Sequence, residues 1–337
     1  MTVTWRRRFS PAAASAWEAV RHTRGSTFAA YRPALLTAAR SERLRHLVTT
    51  TPMRALVDRF VAGETPDDAV ETARRLSAEG LAVSIDRLGE DTHDRDQADA
   101  ATKAYLDLLD RLSRAGLARH AEISLKLSSI GLALGKDGHK IALENAHTIA
   151  SAAQHAGTCV TFDAEGHATT ESTLSILQEV RRDVPETGAV VQAYLYRSEG
   201  DCRDLAYQGS RVRLCKGAYA EPASVAYQKR HAVDRAFVRC LKILMAGAGY
   251  PMVATHDPRL IEIAGALAMR YDRSQGSYEY QMLYGVRPEG QRRLVELGDT
   301  VRVYVPYGDQ WYPYLMRRLA ERPANLAFLL RALLTRS

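Results

Sequence analysis

The chain has 337 residues, 46% of them hydrophobic, which is enough for one large core or two medium ones. Its net charge of +7 is concentrated at the start: residues 1–60 carry eleven Arg, no Lys and three acids (Glu18, Glu42 and Asp58), which leaves the rest near neutral. The arginines are not interleaved with aromatics in a stacking pattern, which argues against a nucleic-acid partner, and no run reaches the roughly 18 apolar residues of a membrane-spanning helix. A basic arm of this kind suits anionic lipid or an acidic partner, or is a plain consequence of Arg-rich composition. The opening R-R-R-F-S-P-A-A-A-S-A has no apolar stretch between its arginines and its small residues, so it does not read as an export signal. Cys159, Cys202, Cys215 and Cys240 show neither a C-x-x-C nor a zinc spacing, as expected of reduced thiols in a cytoplasmic protein.

Residues 11–75 are alanine-rich and periodic, with breaks at Pro33, Pro52 and Pro66, and are expected to be helical. From about residue 78 the texture changes. Eight short apolar runs, most of them rich in β-branched residues, at 81–86, 122–128, 159–165, 189–195, 211–217, 251–256, 278–283 and 301–306, alternate with helical segments. Those segments are expected at 96–114, 141–155, 170–182, 225–246, 258–269 and 288–296, with one more after the last strand. Strand–helix alternation argues for a parallel sheet, and eight repeats over some 250 residues suit a (β/α)8 barrel. An open doubly wound sheet would want a G-x-G-x-x-G turn after its first strand, and none is present. The expected organisation is a helical N-terminal arm over 1–77 and a distorted (β/α)8 TIM-type barrel over 78–337.

A barrel of this class builds its site at the carboxyl ends of its strands. The polar residues there are Asp86 and then Glu90; Lys126; Asp163 to Glu165; Gln192 and Tyr194; Arg213 and Lys216 to Tyr219; Thr255, His256 and Asp257; Gln281; and Tyr304. Lys126, Arg213 and Tyr304 alternate with apolar neighbours, so they are expected to face the barrel interior. Burying several cations is costly unless an anion meets them, which points to a ligand with carboxylate or phosphate groups; pairing with Asp86 or Asp163 is the alternative. Only His256 among the histidines stands at an expected strand end, so no metal is expected. In the last helix Tyr314, Arg317, Arg318 and Glu321 fall at i, i+3, i+4 and i+7, on one face. Two guanidiniums set this way match an oxyanion bidentately.

The runs L-K-L-S (125–128), F-D-A-E (162–165), V-V-Q-A-Y (190–194), R-L-C-K-G-A-Y (213–219), A-T-H (254–256), Y-E-Y-Q-M-L-Y-G (278–285), V-Y-V-P-Y-G (303–308) and Y-L-x-R-R-x-x-E-x-x-A-N (314–325) occur in this order. Together they resemble the proline dehydrogenase family, in its monofunctional bacterial form. The resemblance implies FAD-dependent oxidation of L-proline to Δ1-pyrroline-5-carboxylate by hydride transfer, with FAD held non-covalently and electrons passed to a membrane quinone or another acceptor. It implies that Arg317, Arg318 and Lys126 hold the substrate carboxylate. Tyr304, Tyr314, Leu283 and Tyr219 would wall the ring, Glu321 would orient the arginines, and Glu90 would pair with Arg317 to close the site. Asp163, Ala164, Gln192, Arg213, Lys216, Gly217, Ala218, Thr255 and His256 match flavin-site positions. Ala220 and Gly166 depart from the pattern where relatives carry Trp and an acid, so contacts to the cofactor tail are expected to differ. Tyr304 favours proline over hydroxyproline, because it would crowd a ring hydroxyl. The basic arm would give peripheral contact with the inner face of the cell membrane.

Overall fold

The computed structural model describes residues 57–89 and 92–321, the last five by backbone only. Eight parallel strands are present: β1 (Ala82–Arg87), β2 (Ala121–Leu125), β3 (Val160–Phe162), β4 (Ala189–Gln192), β5 (Arg211–Cys215), β6 (Tyr250–Ala254), β7 (Glu279–Leu283) and β8 (Val301–Tyr307). They are hydrogen-bonded in the order β3-β2-β1-β8-β7-β6-β5-β4. The seam between β3 and β4 is narrow. Phe162 N–H donates to Gly188 O at 2.9 Å and Gly188 N–H donates to Val160 O at 2.7 Å, and a Cβ on Gly188 would run into the side chain of Thr161. Glycine is what lets the two backbones approach there and nearly close the barrel.

The helices between the strands are α1 (Pro66–Ala78), α2 (Arg95–Arg114), α3 (Gly138–His155), α4 (Thr170–Val180), α5 (Ser198–Leu205), α6 (Arg230–Ala246), α7 (Pro258–Arg270) and α8 (Pro288–Glu296), followed by α9 (Trp311–Glu321). Their starts have local causes. Thr65 and Asp68 cap α1 reciprocally. Asp94 Oδ1 accepts from Gln97 N–H at 2.8 Å ahead of α2. Asp257 caps α7, with Pro258 in its first turn. At the other end of α6, Arg273 donates to the carbonyls of Leu244, Met245, Gly247 and Gly249 at 2.6–3.0 Å, satisfying acceptors the helix leaves open.

The strands expected at 122–128, 159–165 and 189–195 end earlier, at Leu125, Phe162 and Gln192, and two helices also differ from the sequence expectation. Helix α5 was not anticipated, because S-E-G-D-C-R-D-L offers only Cys202 and Leu205 as apolar residues. Helix α6 starts at Arg230 rather than at 225, since Tyr196 N–H donates to Val225 O and Tyr227 N–H to Tyr194 O, which holds that stretch extended. The chain divides into two compact units, Ala62–Asp309 and Met1–Val61 with Gln310–Ser337. The boundary drawn at residue 77 leaves α1 with the arm, whereas Ala69, Ala73 and Leu76 of α1 belong to the same buried core as Val83 and Val303 of the barrel strands. Expectations for residues 11–56 lie outside the described residues.

Strand alternation separates two environments. Val83, Ile85, Ile123, Leu125, Val212, Leu214, Val303 and Val305 are buried and belong to the apolar core. The residues between them are Ser84, Asp86, Glu122, Ser124, Arg213, Arg302 and Tyr304, and they fill the lumen. The barrel thus has an apolar shell around a charged interior.

Candidate active site

Arg213 organises the lumen. Strand β5 pairs only with β4 and β6, yet the Arg213 guanidinium donates to Gln281 Oε1 at 2.5 Å, Asp163 Oδ1 at 2.6 Å, Ser124 Oγ at 2.9 Å and Ser84 Oγ at 3.0 Å. Those partners come from β7, the end of β3, β2 and β1, so the side chain crosses the barrel. Burial works against its charge; Asp163 and Glu122 outweigh burial and keep it protonated. The guanidinium also lies 5.3 Å from the ring centre of Tyr304. The Tyr304 hydroxyl donates to Asp163 Oδ2 at 2.7 Å. Burial and that carboxylate push the hydroxyl well above its ordinary range, so it stays a donor.

Above this layer Lys126 Nζ donates to both oxygens of Asp86 at 2.7 Å. Burial alone would lower Lys126, but Asp86 and then Asp163 raise it and hold it charged. Below, Glu122 lies 2.6 Å from Arg211 and 3.3 Å from Arg213. Glu279 accepts from Arg302 at 2.8 and 3.1 Å and from Gln281 at 2.6 Å. Burial would raise Glu122, yet Arg302, Arg211 and Arg213 hold it down to about 2. Lys126, Arg211, Arg213 and Arg302 are therefore balanced by Asp86, Glu122, Asp163 and Glu279.

That balance decides between the two readings the sequence leaves open: the protein's own carboxylates neutralise the buried cations, Asp86 at Lys126 and Asp163 at Arg213. Glu122 and Glu279 are the acids the sequence does not point to, because they meet Arg211 and Arg302 from different strands. A local signal did exist: Glu122, Ser124 and Lys126 share one face of β2 by their spacing of two.

The expected residues at the ends of β4 to β7 sit around the mouth. Gln192 is buried and its amide donates to Glu165 O at 2.8 Å. Lys216 pairs with Asp234 at 2.6 Å and Asp257 at 3.4 Å. Gly217 has φ +106°, where a Cβ would run into the ring of Tyr194; it turns the chain into Ala218 and Tyr219. Thr255 Oγ1 accepts from Asp257 N–H at 3.2 Å. His256 Nε2 accepts from Leu283 N–H at 2.9 Å, which makes the ring neutral with its proton on Nδ1 and couples it to Leu283. Beside Lys216 a cavity of about 640 Å³ is lined by Arg230, His231, Asp234, Asp257 and Arg259. The sequence reading did not single out Arg230, His231 or Arg259. Ala164 is half-buried between Asp163 and Glu165. Glu90 and the side chains of Arg317, Arg318 and Glu321 lie outside what is described, although their helix α9 is continuous from Trp311 to Glu321. Tyr314 of α9 is buried. Among the described residues no cluster of three or more His, Cys, Asp or Glu could hold a metal ion.

The family profile of proline dehydrogenase matches residues 69–331. The chain belongs to the proline dehydrogenase family. Proline dehydrogenase 1 of Bacillus subtilis is 40% identical over 276 residues, which cover 82% of this chain and 90% of the relative. Proline dehydrogenase of Deinococcus radiodurans is 36% identical over 309 residues, 90% of this chain and 98% of the relative. Among solved structures, proline utilization A from Bdellovibrio bacteriovorus superposes with a TM-score of 0.76 at 22% identity. It covers 88% of this chain, which spans 36% of that longer protein, and the likeness bears on the fold. Several of this chain's motifs stand at strand ends of the barrel, around the charged lumen.

Proposed function

We propose that the chain oxidises L-proline to Δ1-pyrroline-5-carboxylate with a non-covalently held FAD, and that the electrons pass on to a quinone-type acceptor. The coarser part, an oxidoreductase that takes the first step of proline catabolism, follows from the family. The observation that carries the finer reading is the division of the barrel mouth. Over β4 to β7 stand neutral donors and acceptors (Gln192, Thr255, His256) with Arg213, Lys216 and the cavity bearing Arg230, His231 and Arg259. That donor set suits a polar ring system with a diphosphate tail. Over β1, β2 and β8 stand Lys126, Asp86 and Tyr304, which suit a small zwitterion.

A bound flavin would supply the two-electron acceptor for a hydride. The residues of the chain bind, orient and exclude water. Lys126, joined by Arg317 and Arg318, holds the carboxylate; Glu321 orients the arginines and Glu90 pairs with Arg317. Tyr219, Leu283, Tyr304 and Tyr314 bound the ring. Asp163 and Ala164 at the end of β3, with Gln192, Arg213, Lys216, Gly217, Ala218, Thr255 and His256, would hold the cofactor, and Arg213 fixes Asp163 in place. No dedicated base is assigned, and water takes the amine proton.

The carboxylate grip is tested by Arg318→Met. Losing one partner of a desolvated charge pair costs about 2–5 kcal/mol. Proline should therefore bind more than roughly tenfold more weakly while flavin content is retained. Proline kinetics that match the parent would remove Arg318 from the site.

A further inference from the structure

Glu165 follows Asp163 and Ala164, and its side chain turns away from them toward the segment after β2. Its Oε1 accepts from Ser128 N–H at 3.0 Å, and its Oε2 accepts a short bond from the Ser128 hydroxyl. Its own carbonyl is held by the Gln192 amide at 2.8 Å. Ser128 is the second residue of the tight turn Leu127–Ile130, whose first flanking residue is Lys126. Lys126 keeps extended geometry, φ −89° and ψ 125°, and its carbonyl accepts from the Ser129 hydroxyl at 2.7 Å. The Ser128 carbonyl in turn accepts from Thr92 Oγ1 at 3.0 Å and Thr92 N–H at 3.3 Å. Ser128 thus joins three loops: its N–H and hydroxyl meet the Glu165 carboxylate after β3, and its carbonyl meets Thr92 after β1.

We infer that Glu165 is a positioning residue for substrate binding. By grasping Ser128 at both backbone and hydroxyl, it fixes where the chain leaves β2 and so where Lys126 delivers its ammonium. Asp86 neutralises that ammonium from below; Glu165 sets the backbone from which it extends. Without the carboxylate, the hydrogen bonds that remain at Ser128 among the described residues come from Thr92, and Lys126 loses its fixed aim. The inference rests on reading Lys126 as a cation for the substrate carboxylate. It separates the two roles of the D-A-E run: Asp163 faces Arg213 and Tyr304 in the lumen, and Glu165 faces the proline-binding side.

The experiment compares steady-state L-proline kinetics, flavin content per chain and thermal unfolding for the parent, Glu165→Ala, Glu165→Gln and Ser128→Ala. Glu165→Ala should raise KM for proline roughly tenfold while kcat at saturation stays within about threefold and flavin content holds. Ser128→Ala keeps the backbone bond and should show a smaller rise in the same direction. Glu165→Gln can still accept from Ser128 N–H and donate to its hydroxyl, so KM should return toward the parent value. The double variant Glu165→Ala with Ser128→Ala should be no worse than Glu165→Ala alone, because both remove one interaction. An unchanged KM in Glu165→Ala would overturn the inference, as would a loss of flavin with normal KM in the loaded fraction. If Glu165→Ala does not fold, an unchanged KM in Ser128→Ala overturns it. A parent that binds flavin but does not oxidise proline would overturn the proposed function, and this inference with it.

Discussion

Glu122 is wholly buried beneath the site, with Arg211, Arg213 and Arg302 around it. Its carboxyl is held at about 2 against an ordinary value of 4.5. A depressed acid stabilises the fold at pH above its unfolded value, and that contribution is lost as pH falls through the folded one. Stability should therefore decline from about pH 4.5 toward pH 2 with proton uptake at this residue. Urea midpoints across that range would show a shallower decline in Glu122→Gln, which in turn should be less stable at neutral pH by about 3–5 kcal/mol, because it uncompensates buried guanidiniums. Equal slopes and equal midpoints in the two proteins would remove Glu122 from this role. At the scale of single residues, Lys126, Arg213 and Tyr304 could be picked out from sequence because each alternates with apolar neighbours. The pairing of the two cations with Asp86 and Asp163 is one of the two readings the sequence leaves open, whereas the contacts of Arg213 with Ser84 and Gln281 are not legible, since they cross the lumen at separations of 129 and 68 residues. Local periodicity says which face a side chain takes and nothing about what meets it there.

The elements were legible where patterning is strong. The eight strands are short apolar runs, most of them rich in β-branched residues, and some of the helices that follow start with clear signals, such as Asp257-Pro258 before α7. Elements set by tertiary contact were not: α5 has too little apolar content to show a period, and the start of α6 is decided by the pairing of residues 225–227 with 194–196. The turn after β5 shows how such contacts shape the site. Gly217 sits at φ +106° against the ring of Tyr194, whose hydroxyl is buried. Gly217→Ala must both strain the backbone and displace that ring, at a cost of about 1–3 kcal/mol. A lower unfolding temperature together with a lower flavin-to-protein absorbance ratio is the expected result. A variant with parent stability and full flavin content would show that the turn does not shape the cofactor side.

For the molecule as a whole, the sequence places a basic segment at 1–60 ahead of a near-neutral barrel, and no described helix is long and apolar enough to cross a membrane. If that segment meets anionic lipid, each basic residue near the surface adds about 1 kcal/mol. Vesicles rich in anionic lipid should then pellet the full chain and leave a chain lacking residues 1–60 in the supernatant; equal pelleting would exclude the arm as the contact. The barrel and its family are readable because seven motifs fall in order along β2 to β8 and an eighth on the last helix. The full internal charge balance is not, because it exists only once the barrel closes. The measurement that tests the central claim most directly is the visible spectrum of the purified protein before and after anaerobic addition of L-proline. The account predicts a yellow protein whose flavin band bleaches with proline and holds with hydroxyproline. A flavin band that proline leaves unchanged would contradict the substrate, and a protein that stays colourless after reconstitution with FAD would contradict the cofactor.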